Sequence, residues 1–180
     1  HGSYHYDWTS DDEYYWYTAF DLWGDLIYEV NKRGGRIAYG TDDNYIWATP
    51  GFSNVRELQL TRETGMHSLE VLKTATYNSA ATLRQPELGL VRPGYLADLI
   101  LVEGSPAYNL RFLYSFGALR LDENGTMERT RGIVHTIKDG LVIHNARLME
   151  EVERMVAASK EGIGPSVVEQ PFVIRPKVGT

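Results

Sequence analysis

The run Arg36-Ile37-Ala38-Tyr39-Gly40 constrains the fold of this chain more than any other stretch. It is short, bounded by glycines and placed after a long helical segment, which reads as a buried strand. The preceding helix starts at Thr9 or Ser10, either of which can cap it. Asp11, Asp12 and Glu13 then suit the positive end of its dipole. It runs to about Lys32, and Gly34-Gly35 stops it. Two more helices are expected downstream, from Asn54 to about Thr64 and from Ser68 to Leu83, separated by Gly65. In the second of these, Leu69, Leu72, Thr76, Ser79 and Leu83 recur at the helical period and form its expected packing face. A helix–strand–helix order is α/β in character.

After residue 86 the texture changes. Arg92-Pro93-Gly94-Tyr95 has Pro then Gly at the centre, as a type II turn requires. Leu96 to Val102 reads as a strand. Asn124-Gly125 and Asp139-Gly140 are tight-turn signals, and the second joins Ile133–Ile137 to Leu141–Ile143 as a hairpin. Leu148 to about Ala158 is an amphipathic helix with Leu148, Val152, Met155 and Val156 on one face. The tail from Gly162 holds Pro165, Pro171 and Pro176 and is expected to be extended.

The 180 residues are enough for one globular domain, but a complete (β/α)8 barrel takes about 250. No apolar run approaches the roughly 20 residues of a membrane-spanning helix. The absence of Cys excludes disulfides, thiolate nucleophiles and cysteine-ligated metal centres. A net charge of −6 argues against nucleic acid as a partner. Thirteen of the 21 aromatic residues, including all four Trp, lie in positions 1–47. Given that charge, this cluster reads as a helix packing on a large neighbour rather than as a base-stacking platform. Residue 1 is His and no signal peptide is visible. The chain is therefore expected to have lost a leader or to be part of a longer one.

Asp42 is the leading candidate for chemistry. It directly follows the expected strand, and residues at the C-terminal ends of parallel strands carry the chemistry of α/β folds. A carboxylate there can bind a divalent metal or act as a general base, or Thr41-Asp42-Asp43-Asn44 can simply cap the next segment. Among the five histidines, His1 and His5 have an i,i+4 spacing that suits a metal pair only on a helix, and Gly2 disfavours one. His67 precedes a helix and reads as a surface or packing residue, and His135 and His144 fall on ordinary strand positions. No phosphate-binding glycine loop or nucleophile elbow is present.

Several of these segments, in this order, resemble the metal-dependent amidohydrolases, and most closely their imidazolonepropionase-like and dipeptidase-like members. Gly34 to Asp42 is similar to the last barrel strand of that family. Arg56-Glu57-Leu58 and Gly65 to Leu72 resemble the helices that follow, and Thr74 to Ala80 resembles its small-residue helix. Leu88 to Leu99 resembles the return to its β-sandwich, and Ile137-Lys138-Asp139-Gly140 is a further likeness. The resemblance implies the last βα units of a TIM-type (β/α)8 barrel over residues 1–86, with the eighth strand at about 36–41. It implies strands of a small β-sandwich over 87–145, then a C-terminal helix and extended tail over 146–180. It also implies a divalent metal, normally zinc, with Asp42 as metal ligand and as the base that takes a proton from the metal-bound water. The family's other ligands, a His-x-His pair, a carboxylated Lys or a Glu, and two further His, have no counterpart here.

Three expectations follow. In the first, the chain is the C-terminal part of an amidohydrolase, acting on a small amide or dipeptide-like substrate in the complete enzyme and inactive alone. Its partner is then the missing part of the barrel. In the second, it is a non-enzymatic module that oligomerises or binds through its aromatic cluster. In the third, His1, His5 and Asp42 form a new metal site. Self-association is expected under either of the first two, and neither nucleic acid nor membrane is an expected partner.

Overall fold

Thr9 opens the first helix by a reciprocal cap. Its backbone N–H and its hydroxyl each donate to Asp12 Oδ2 at 2.8 Å, and the Asp12 N–H donates back to Thr9 Oγ1. The computed structural model describes residues 9–43, 49–161 and 173–174. Helix α1 (Ser10–Lys32) ends where the Gly35 N–H returns to Val30 O. Its start and end are those expected from the sequence.

Helix α2 (Phe52–Glu63) begins two residues earlier than expected, because the Phe52 and Ser53 N–H groups already bond to Thr49 O. The third helical stretch comprises α3 (Ser68–Lys73), a π-helical turn (Thr74–Asn78) and α4 (Ser79–Thr82). The face expected to pack is covered only in part, at Leu72 and Ser79. Leu69 and Leu83 are largely exposed, whereas Ser68, Val71, Thr74 and Asn78 are buried. This small-residue face meets α2 and the extended segment before it, and the two leucines have no cover among the described residues. The small core joins Leu58, Met66, Val71 and Leu110, with Ile27, Tyr39, Leu72, Ala75 and Leu113 around it.

Residues 36–41 depart from expectation in a second way. They are extended but form no strand ladder among the described residues, and Ile37 and Tyr39 are only half-buried between exposed Arg36, Ala38 and Gly40. Backbone polar groups need partners when withdrawn from water. Helix side chains supply them here instead of a neighbouring strand.

The second half is β-rich, as its turns imply. The Tyr95 N–H bonds to Arg92 O, and Gly94 has φ +88°, the type II geometry expected at Pro93-Gly94. Strand β1 (Leu99–Glu103) starts three residues later than read from the sequence. A 3-10 turn (Leu110–Leu113) precedes the small hairpin of β2 (Leu119–Leu121) and β3 (Met127–Arg129), closed at Asn124-Gly125. The hairpin of β4 (Gly132–Lys138) and β5 (Leu141–His144) turns at Asp139-Gly140, both with positive φ. The main sheet is antiparallel in the order β1-β4-β5-β6, where β6 is Val173–Ile174. Most of the tail expected to be extended lies outside the described residues.

Helix α5 (Asn145–Lys160) contains the expected amphipathic stretch, but Val152, Met155 and Val156 remain exposed. Asn145 and Glu151 are buried instead. Asn145 accepts from Thr136 Oγ1 at 3.1 Å and donates to Ser115, and Glu151 pairs with Arg154. The Asn145 bond to Thr136 on β4 thus ties the start of this helix to the sheet, while most of the apolar stripe stays uncovered. No helix among the described residues is long and apolar enough to cross a membrane.

Candidate functional site

Two helices hold the segment that leads to Asp42. Asn78, in the π turn, donates from Nδ2 to Ile37 O at 2.8 Å. The next residue, Ser79, accepts from the Tyr39 N–H at 3.2 Å and donates to Thr74 O at 2.7 Å. A π turn widens the helix and frees backbone groups, and such turns recur at functional sites. From α2, Asn54 Oδ1 accepts from the Tyr39 hydroxyl at 2.7 Å and from Thr41 Oγ1 at 3.4 Å. Residues 37–41 are thus tied at four points, and Asp42 follows with φ 50° and an exposed side chain. A left-handed, non-glycine residue here marks a sharp change of chain direction at the end of the segment.

The surroundings are acidic and partly dry. Burial, followed by the charges of Glu57 and Asp43, pushes the Tyr39 phenol up to about 12, so it stays a neutral donor to Asn54. Burial also raises Glu57 above the usual carboxylate range. Asp43 Oδ1 is buried with no hydrogen-bond partner among the described residues. An orphaned carboxylate oxygen beside an exposed one suits a proton or a cation. Among the described residues, however, no three His, Cys, Asp or Glu side chains come together as a metal set. The described residues therefore do not by themselves make a metal site around Asp42.

The histidines are dispersed. His67 is a cap rather than a plain surface residue: its Nδ1 accepts from the Leu69 N–H at 3.3 Å, and Glu70 accepts from the His67 N–H at 2.8 Å. His135 and His144 occupy the expected sheet positions and face each other across β4 and β5. His1 and His5 lie outside the described residues, and with them the site combining these two with Asp42. The larger cavity, about 750 Å³, lies between Tyr28, Lys32, Arg62, His67 and Tyr108, and Asp42 does not line it. Helix α1 buries none of its residues. Trp16, Phe20 and Trp23 contact one another edge-on or tilted and remain at least 40% exposed, so the large neighbour expected for this helix is not found among the described residues.

Sequence reading singled out Asp42 but not Asn54, Asn78 and Ser79 as the residues that hold its segment. The available signal was polarity: two polar residues in succession inside a helix signify either solvent or a bond to something specific.

The sequence model of the amidohydrolase family matches residues 25–143, a span that includes Asp42. An adenine deaminase of Geobacillus kaustophilus is 30% identical over 96 residues, which are 52% of this chain and 16% of that protein. Another from Lysinibacillus sphaericus is 28% identical over 109 residues, 59% of this chain and 19% of that protein. An ochratoxinase of Aspergillus niger is 37% identical over 83 residues, 44% of this chain and 16% of that protein. The matches thus span less than a fifth of these relatives. No solved structure matches the chain.

Proposed function

Because the chain belongs to the amidohydrolase family, we propose that it is the C-terminal part of a metal-dependent hydrolase of amide or other C–N bonds, with Asp42 as its contribution to the active site. The family implies a TIM-type barrel. In this reading residues 36–41 are the eighth barrel strand, lacking its neighbours, and residues 1–86 belong to the barrel. Residues 87–145 supply strands of a β-sandwich, and 146–180 form a C-terminal helix and tail.

The observation that carries the reading is the anchoring of residues 37–41 from two helices, which leaves Asp42 exposed at the segment's end. Side chains of Asn78 and Ser79 occupy two backbone groups on one edge of the segment; a closed barrel pairs both edges, so in this reading those two bonds give way to a neighbouring strand when the barrel is complete. A divalent metal of the family, normally zinc, would supply an activated water when bound. Asp42 would offer a carboxylate oxygen to that metal and, as a carboxylate at the site, could accept and release a proton during C–N cleavage. The chain alone is expected to be inactive, and its partner is the rest of the barrel or a second copy of itself.

The names of its relatives make adenine and ochratoxin the first compounds to assay. The test is to read the DNA upstream of the His1 codon and express the whole frame. The expected frame encodes a His-x-His pair and further barrel strands, and its product hydrolyses a C–N bond. Turnover by the 180-residue chain alone would overturn the claim that it is incomplete. The second reading, a non-enzymatic oligomerising module, rests on the exposed aromatic face of α1. It would be favoured by stable oligomers of the chain together with an upstream frame that lacks metal ligands.

A further inference from the structure

We propose that His135 and His144 form a cross-strand chelate for a borderline divalent cation such as Zn²⁺ or Ni²⁺, separate from Asp42. The register places them directly opposite each other. Lys138 and Leu141 flank the two-residue turn and form its hydrogen-bonded pair, and the pair type alternates from there. Ile137 with Val142 is then non-hydrogen-bonded, Thr136 with Ile143 hydrogen-bonded, and His135 with His144 non-hydrogen-bonded. That last kind brings side chains closest, with Cα atoms about 4.5 Å apart.

The ring geometry agrees. The imidazole centres are 4.9 Å apart, with the planes at 69°. A tetrahedral cation about 2.1 Å from one nitrogen of each ring holds the ring centres about 5 Å apart. The hairpin has therefore set the spacing of a two-histidine chelate before any ion binds. The third observation is the Nδ1 of His144, which is buried with no hydrogen-bond partner among the described residues. A nitrogen withdrawn from water without a partner is destabilising. A cation held between the rings fixes the tautomers and removes that cost.

Imidazole nitrogens favour Zn²⁺, Ni²⁺ and Cu²⁺ over Ca²⁺ or Mg²⁺. No third ligand joins the pair among the described residues. Leu101, opposite His135 on β1, is about half exposed, so the His135 side of the pair is open to water, which fills the remaining coordination positions there. The site is accordingly an exchangeable one, not a structural centre.

The test is titration of the purified chain with Ni²⁺ or Zn²⁺ in a His1→Ala, His5→Ala background, followed by calorimetry and by imidazole NMR. One saturable equivalent is expected. His135→Gln and His144→Gln should each weaken it at least tenfold, and Asp42→Asn and His67→Gln should leave it unchanged. Substoichiometric Cu²⁺ should broaden the His135 and His144 resonances first, a readout that needs no substitution at either residue and so survives a misfolded variant. Binding that is unchanged in both glutamine variants, the absence of any saturable binding, or broadening that begins at other residues would overturn the proposal. Asp42→Asn separates this claim from the proposed hydrolase site, since it should cut turnover of the longer protein by roughly 10²–10⁴-fold and spare the chelate.

Discussion

The carbonyl of Ile37 accepts a hydrogen bond from Asn78 at 2.8 Å, and Asn78 is only 8% exposed. Removing that amide leaves a carbonyl without its partner in a part-buried setting. Asn78→Ala should therefore cost about 1–3 kcal/mol, read as a lower denaturant midpoint with an unchanged slope. Glu57 provides a second prediction. Burial raises its carboxyl, so its contribution to folding is fully present below the ordinary carboxylate range and is lost as pH rises through the raised value. Glu57→Gln should raise the thermal midpoint at pH 7 and leave it nearly unchanged at pH 4. At this scale the sequence singled out Asp42 as the carboxylate that follows a glycine-bounded run, a position that could equally cap the next segment. It did not disclose Asn54, Asn78 and Ser79, since a helical pattern registers which residues are small or polar and not what lies opposite them.

Two elements fold as one through Asp98. The Lys138 ammonium bonds its carboxylate at 2.7 Å and the Asp139 N–H at 3.2 Å, which clasps the β4–β5 turn to the start of β1. The lysine, then the amide, holds Asp98 below the usual carboxylate range. Its stabilisation is present above that range and is lost as pH falls through the lowered value. Asp98→Asn should reduce the thermal midpoint at neutral pH and lessen its fall in acid. The corner before β4 is tighter still. A Cβ on Gly132, at φ +65°, would lie 2.0 Å from Tyr114 O. Gly132→Ala should cost roughly 2–4 kcal/mol in chemical denaturation. Turns were the most legible elements, because Pro93-Gly94 and Asp139-Gly140 fix local dihedrals regardless of context. Packing faces were the least legible. The apolar stripes of the third helical stretch and of α5 are real patterns, but what a face buries depends on which neighbour covers it.

Across the whole molecule, apolar surface is left uncovered along α1, along α5 and at Leu69 and Leu83. Contiguous exposed patches of this kind mark surfaces of association. Light scattering after size exclusion should find the chain self-associated, and Trp16→Ser with Trp23→Ser should shift it towards monomer. A clean monomer that binds no hydrophobic dye would count against this. The long-range organisation was legible as an ordered set of motifs, and the family match over 25–143 agrees with them. The lack of a ladder at 36–41 was not legible, because strand pairing depends on chain brought from elsewhere. The central claim is that Asp42 serves a hydrolytic site assembled with the rest of a barrel. Its most direct test is C–N bond hydrolysis by the full upstream-extended frame, by the same protein with Asp42→Asn, and by the 180-residue chain alone. The account predicts turnover in the first, a loss of roughly 10²–10⁴-fold in the second and none in the third. Undiminished turnover with Asp42→Asn, or turnover by the chain alone, would contradict it.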